Sequence, residues 1–275
     1  MTTNLTSTFT PTFLQKLLGR GYKWLVMINY EVKVQTTYLI DNIAWIFGQL
    51  VIILPIIWIW VLNKPDDLNT LITYFLIGNI GLSLIDNTLS YRIAYEIETG
   101  RITKFLLLPS NYLTLIFFRG IGRNSVANIT AIFMIGLICL LYSSNLIFSS
   151  WVNLVLWLLV LIFGYFIKAF LEMIIAFMAF WFIDISNFIF LFRNMFLFLS
   201  GSLIPFYLLN KGLSQVQYNP LAFTFYHPMQ IYLGKYSALE TLYVFLGGIT
   251  WCVVLYFLAK WVFKLGLKRN ESVGL

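Results

Sequence analysis

LVLWLLVLIFGYF, residues 154–166, carries no charge, and its apolar side chains would cover every face of a helix. A helix that is apolar all round is buried either in the core of a large protein or in lipid. Composition decides between the two. Of the 275 residues, 60% are hydrophobic, 19% aromatic and only 11% charged, against about 25% charged in a soluble domain. Such a chain cannot cover its own surface with polar groups, so lipid must cover much of it. The reading is an all-α integral membrane protein.

A helix rises 1.5 Å per residue, so about 20 residues cross a hydrocarbon core of about 30 Å. Working outward from 154–166, the apolar runs predict six spans, near 41–62, 70–90, 122–142, 151–180, 187–209 and 240–262. Lipid offers no partner for backbone polar groups, so each run must bond within itself as a helix. A β-barrel would show shorter segments with alternating polar positions, whereas QLVIILPIIWIWVL (49–62) has none. Pro55 and Pro205, inside the first and fifth runs, are expected to kink them. The whole chain, 1–275, reads as a single membrane domain without repeats.

Lys and Arg gather in alternate connections. Lys33, Arg92, Lys104, Arg119, Arg193 and Lys264 fall on one side of this topology, and only Lys64, Lys211 and Lys235 on the other. The positive-inside rule then places both termini and the 91–121 connection in the cytoplasm, in a multi-pass protein of the cytoplasmic membrane. The net charge of +7 reflects this bias and the attraction of anionic lipid headgroups. It does not mark a nucleic-acid binder, because no basic stripe interleaved with aromatics lies outside the membrane ends. The first twelve residues are rich in Thr and uncharged, so no cleavable signal peptide is expected there. Cys139 and Cys252 fall inside spans and read as packing residues.

Before the first span, FLQKLLGRGYKWLVMINYEVKV (13–34) sets Lys16, Arg20 and Lys23 on one helical face and a row of leucines on the other. This is the pattern of an amphipathic helix lying in the headgroup layer over 13–40. Packing of the same helix against the protein's own spans is the alternative.

The densest polar cluster follows the second span. In 91–110 two short helices are expected, divided at Gly100 and stopped by Pro109. Ile93, Ile97, Ile102, Phe105 and Leu106 would face the membrane domain. Glu96, Glu98, Arg101 and Lys104 would reach the cytosol. Such an elbow suits a part that receives force from a soluble partner, and an ordinary charged loop is the plainer alternative.

EIETGRITKFLLLP (96–109) resembles the cytoplasmic-loop signature of ATP-binding-cassette (ABC) transporter permeases of the type-2 exporter family. Glu96, Ile97, Glu98, Gly100, Leu106, Leu107 and Pro109 fill the pattern. GLKRNESVG (266–274) is similar to a recurrent ending of such permeases. Arg101 departs from the pattern, where a small residue is commoner, and reads as tuning the partner contact. The resemblance implies that 91–110 is a coupling helix that docks on a separate ATPase subunit through Glu96, Ile97, Glu98, Gly100, Arg101, Lys104 and Pro109. It further implies two ATPase copies, a second permease, identical or homologous, and export of a solute. ATP and Mg would belong to the partner. The chain holds no G-x-x-x-x-G-K-[ST] phosphate loop of its own. No cofactor is expected on it, and the sparsely charged interior suits an amphipathic, drug-like or lipid-like solute.

LNKGLSQVQYNPLAFTFYHPMQIYLGKYS (209–237) is too long for a turn and too apolar for a free loop. With Pro220, Phe223, Tyr226 and Pro228 it reads as two short helices re-entering the outer leaflet over 210–236, capping the exit side of the path. A surface-lying aromatic loop is the alternative. Lys168 and Glu172, four apart in the fourth span, read as an intramembrane pair. Asp86 reads as a helix-end contact, and His227, the only histidine, as a satisfied interfacial group. A second function class is a membrane-embedded enzyme acting on a lipid-linked substrate, which would need Asp86, Glu172 and His227 to converge.

Overall fold

A computed structural model describes residues 22–37, 48, 51, 54–60, 62, 68–108, 111–141, 144, 146–209 and 211–273. Nine helices are named here in chain order. They are α1 (Tyr22–Thr36), α2 (Leu68–Ile85), α3 (Leu89–Glu98), α4 (Ile102–Leu106), α5 (Tyr112–Leu141), α6 (Trp151–Phe177), α7 (Ser186–Leu199), α8 (Tyr226–Tyr232) and α9 (Ala238–Val273). Short 3-10 turns link α7 to α8.

Four helical stretches are long and apolar enough to cross a membrane among the described residues: Leu68–Glu98, Tyr112–Leu140, Trp151–Phe180 and Ala238–Arg269. They cover the second, third, fourth and sixth expected spans. The expected first span, 41–62, falls largely outside the described residues, as do Lys16, Arg20, Pro109 and the side chain of Lys23.

The fifth run differs from expectation. Its helix, α7, has 14 residues and ends at Leu199. Gly201 then adopts φ 83°, a left-handed conformation that glycine tolerates, and its N–H bonds the Phe198 carbonyl at 3.2 Å. Pro205 therefore kinks no helix: it sits in extended backbone ahead of the turn Phe206–Leu208. The third span differs in the other direction, because its helix begins at Tyr112, ten residues before the expected start.

The fold is organised around α6. Ser150 caps its start, the hydroxyl accepting from the N–H of Asn153 at 3.1 Å. Its 27 residues span about 40 Å, enough to serve two apolar cores. One core joins the C-terminal half of α6 to α3, the start of α5 and α9 through Ile93, Ile167, Met173, Phe177, Ala259 and Phe263. The other joins its N-terminal half to α2 and α8 through Tyr74, Phe75, Trp157, Leu161, Phe225 and Met229. Outward-facing Phe133, Leu140, Trp151, Phe257 and Trp261 are exposed, which only a lipid surround makes affordable.

α1 packs on α5 instead of lying apart from the bundle. Trp24 stacks on Phe118 with centroids 4.8 Å apart, and Glu31 is buried. Leu25, Val26 and Tyr30 stay exposed on the other face of α1.

The segment before α9 is the most continuously buried among the described residues, with residues 221–232 all buried. Asn219 starts its first turn by accepting from the N–H groups of Leu221 and Ala222, with Pro220 following. Tyr74 donates to the Gly201 carbonyl at 2.8 Å and so ties α2 to the end of α7. At Gly164 of α6 the backbone of this segment comes so near that a Cβ would lie 2.9 Å from the Phe223 carbonyl oxygen. Replacing Gly164 by Leu should therefore destabilise the bundle by about 1–3 kcal/mol. Gly136→Ala, with nothing within 4 Å, should leave thermal unfolding in detergent unchanged or raised.

Candidate functional site

The elbow expected over 91–110 is present as α3, a turn at Gly100 and α4. Gly100 has φ 69°, and its N–H bonds the Ile97 carbonyl at 3.0 Å, which closes α3 and reverses the chain. Ile93, Ile97 and Ile102 are buried, as the pattern implied.

Glu96 is the main departure from the sequence reading. It does not reach outward but is buried, at 5% exposure, in a cage of four charges. Arg92 gives one bidentate pair to Glu31, at 2.7 and 3.0 Å, and a third bond to Glu96 at 3.2 Å. Arg119 donates to Glu96 at 2.8 and 3.3 Å and to Glu31 at 3.1 Å. Two guanidinium forks thus meet two carboxylates and leave the cage neutral, with strong charge-assisted bonds. The i, i+4 spacing of Arg92 and Glu96 is visible in the sequence. Glu31 and Arg119 carried no such local signal, since their partners lie 61 or more and 23 or more residues away respectively.

The cage holds the elbow from behind. Arg119 also lies over the Phe105 ring at 4.2 Å, which fastens α4 to α5. What remains on the outer face is Glu98, Arg101, Lys104 and the leucines 106–108, all exposed. Leu106 is therefore not turned to the membrane domain, and Leu107 is 81% exposed. Arg101 rests over the Tyr95 ring at 5.0 Å. A cleft of about 630 Å³ opens beside these residues, lined by Tyr91, Tyr95, Lys104 and Arg123 and by Arg92, Glu96 and Arg119 of the cage.

Deeper in the bundle Lys168 does meet Glu172, at 3.6 Å, but its nearer partner is Asp86. Asp86 lies in the three-residue break between α2 and α3, so it is a helix-end contact as the sequence suggested. Glu172 also accepts from the backbone N–H groups of Leu89 and Ser90 at 2.6 and 3.2 Å. Nothing in the local sequence announced that bond.

His227 is not brought to Asp86 or Glu172. Its Nε2 lies 2.8 Å from the Gln217 carbonyl oxygen, which can only accept, so Nε2 carries the proton. Nδ1 then accepts from the Tyr236 hydroxyl at 2.9 Å. Burial pushes the imidazole down to about 4, so it is neutral at pH 7. Pro220 begins the 3-10 turn Pro220–Thr224, and Phe223, Tyr226 and Pro228 are buried beside His227. Among the described residues no group of three or more His, Cys, Asp or Glu is arranged to hold a metal.

Removing one member of the cage leaves the others buried without full compensation. Glu96→Lys or Glu31→Ala should cost about 3–5 kcal/mol. Glu98→Lys, on the exposed face, should change stability by less than about 0.5 kcal/mol. Thermal unfolding of the purified chain in detergent separates the two classes.

A family model described as ABC-2 family transporter protein matches residues 64–274, which include the elbow, the buried charges of α6 and the buried segment 221–232. Comparison with curated proteins found no match.

Proposed function

The chain belongs to the ABC-2 family of transporter proteins, and from that premise we propose that it is the permease half of an ATP-driven exporter whose elbow is gripped by a separate ATPase subunit. Membership makes it a membrane transport subunit. The finer reading rests on one observation: an internally braced elbow exposes an apolar knob and charged side chains together. Leu107 is the knob, and Glu98, Arg101 and Lys104 are exposed charges of the same elbow. A desolvated centre with a polar border is how protein interfaces are built.

In this reading the elbow lies in the cytoplasm, on the side where the Lys and Arg residues gather. Six spans, both termini inside and a second permease complete a twofold or pseudo-twofold transporter with two ATPase subunits. Closure of the ATPases would drive the elbow, and the buried segment 221–232 would cap the exit side. An amphipathic, drug-like or lipid-like solute fits the sparsely charged bundle.

The membrane-enzyme reading needed Asp86, Glu172 and His227 in one place. The first two are engaged by Lys168 and by α3, and the third by Tyr236 and Gln217. That separation favours transport.

Arg101→Glu and Leu107→Asp are the informative variants. Each should lower recovery of the ATPase with the permease by about tenfold or more, while the detergent unfolding temperature stays within a few degrees of the parent. Wild-type recovery of the ATPase by both variants would refute the docking face.

A further inference from the structure

The start of α3 presents a physical problem that its own sequence does not solve. The first N–H groups of a helix have no partner within it, and the helix end bears partial positive charge. Thr88 stands at the capping position, yet its side chain makes no capping bond and turns instead to Asn124 Oδ1 at 3.0 Å. The missing acceptor is supplied from 83 residues away, by the buried carboxylate of Glu172 on α6.

That carboxylate is itself fixed. Lys168, one turn earlier on α6, lies 3.6 Å from its other oxygen and is also bonded to Asp86 at the start of the break after α2. Arg193 of α7 brings a second positive charge against α3. Its guanidinium lies 5.6 Å from the Tyr91 ring of α3, and the Lys168 ammonium lies 5.4 Å from the Phe196 ring of α7. Two carboxylates and Lys168 therefore converge where α2 stops and α3 begins, with Arg193 against the Tyr91 ring of α3. Glu172 is the member that touches the elbow backbone.

The other end of the chain of contacts is equally tight. Two turns before Glu172, Gly164 lets the backbone of Phe223 and Thr224 lie against α6. α3 is thus joined to α6 by a charged hydrogen bond, and the backbone of the segment 221–232 packs on the same helix two turns away.

We propose that Glu172 is a positioning residue that clamps the elbow to α6, so that displacement of the elbow moves the segment 221–232. The inference rests on the elbow being the part that the ATPase moves. It adds the residue through which that movement enters the membrane helices.

Hydrogen exchange tests it on the chain purified with its co-purifying ATPase, with and without ATP plus vanadate. In Glu172→Ala the amides of Leu89 and Ser90 should exchange at least about tenfold faster. The nucleotide response should persist over 98–108 and disappear over 220–232. Glu172→Gln keeps an acceptor oxygen and should restore both the slow exchange and the distant response. A Glu172→Ala chain that responds over 220–232 like the wild type overturns the proposal, and so does a Gln variant indistinguishable from Ala. Should the Ala variant fail to fold, Glu172→Asp, whose shorter arm withdraws the acceptor, takes its place against Gln. If no ATPase accompanies even the wild type, the exporter reading fails. Exchange at Leu89 and Ser90 in the isolated chain then decides the clamp by itself.

Discussion

Four charges, the buried Glu31, Glu96 and Arg119 and the half-buried Arg92, hold the elbow in place. They come from α1, α3 and α5, and every one of them bonds at least two others or bonds one other twice. Buried ions are costly to desolvate, and apolar packing of the same volume would often be as stable. What the cage provides is registry. Directional forks admit one arrangement of three helices, whereas leucines would tolerate several. The elbow is consequently a rigid body whose outer face is defined by what the cage leaves out.

Rigidity at the elbow is useful only if it is connected to something. α6 makes that connection, with one apolar core on each half and, within the C-terminal one, the Glu172 carboxylate bonded to the start of α3. At one end it supports α3. At the other it supports a segment of short turns that no lipid-exposed site would accept, because their backbone groups need protein partners. Asn219, Thr224 and His227 supply several of those partners, so the turn backbone ahead of α8 stays buried without a large penalty.

Long-range character explains which features could be read from the chain. The spans at α2, α5, α6 and α9 follow from apolar run length alone, and the Gly100 reversal follows from local turn chemistry. The buried isoleucines of the elbow follow from helical spacing. By contrast, Glu96 looked solvent-facing because a carboxylate in a polar loop usually is. Its inward turn depends on Arg119 and Glu31, which sequence spacing does not connect to it. The end of α7 was legible in LSGSLIP (199–205), where Ser, Gly and Pro punctuate the helix, but the apolar run around it masked the signal. The early start of α5 was hidden for the opposite reason. Arg119 and Arg123 look like loop residues until the cage and the cleft beside it give them a place.

The most direct measurement places a single cysteine at the knob, Leu107→Cys, in a chain whose Cys139 and Cys252 have been replaced. A membrane-impermeant maleimide is then applied to intact cells and to inside-out vesicles. Labelling only in the vesicles, blocked when the ATPase subunit is bound, is the expected result. Labelling from outside intact cells, or labelling in vesicles indifferent to the ATPase, would contradict an elbow gripped from the cytoplasm.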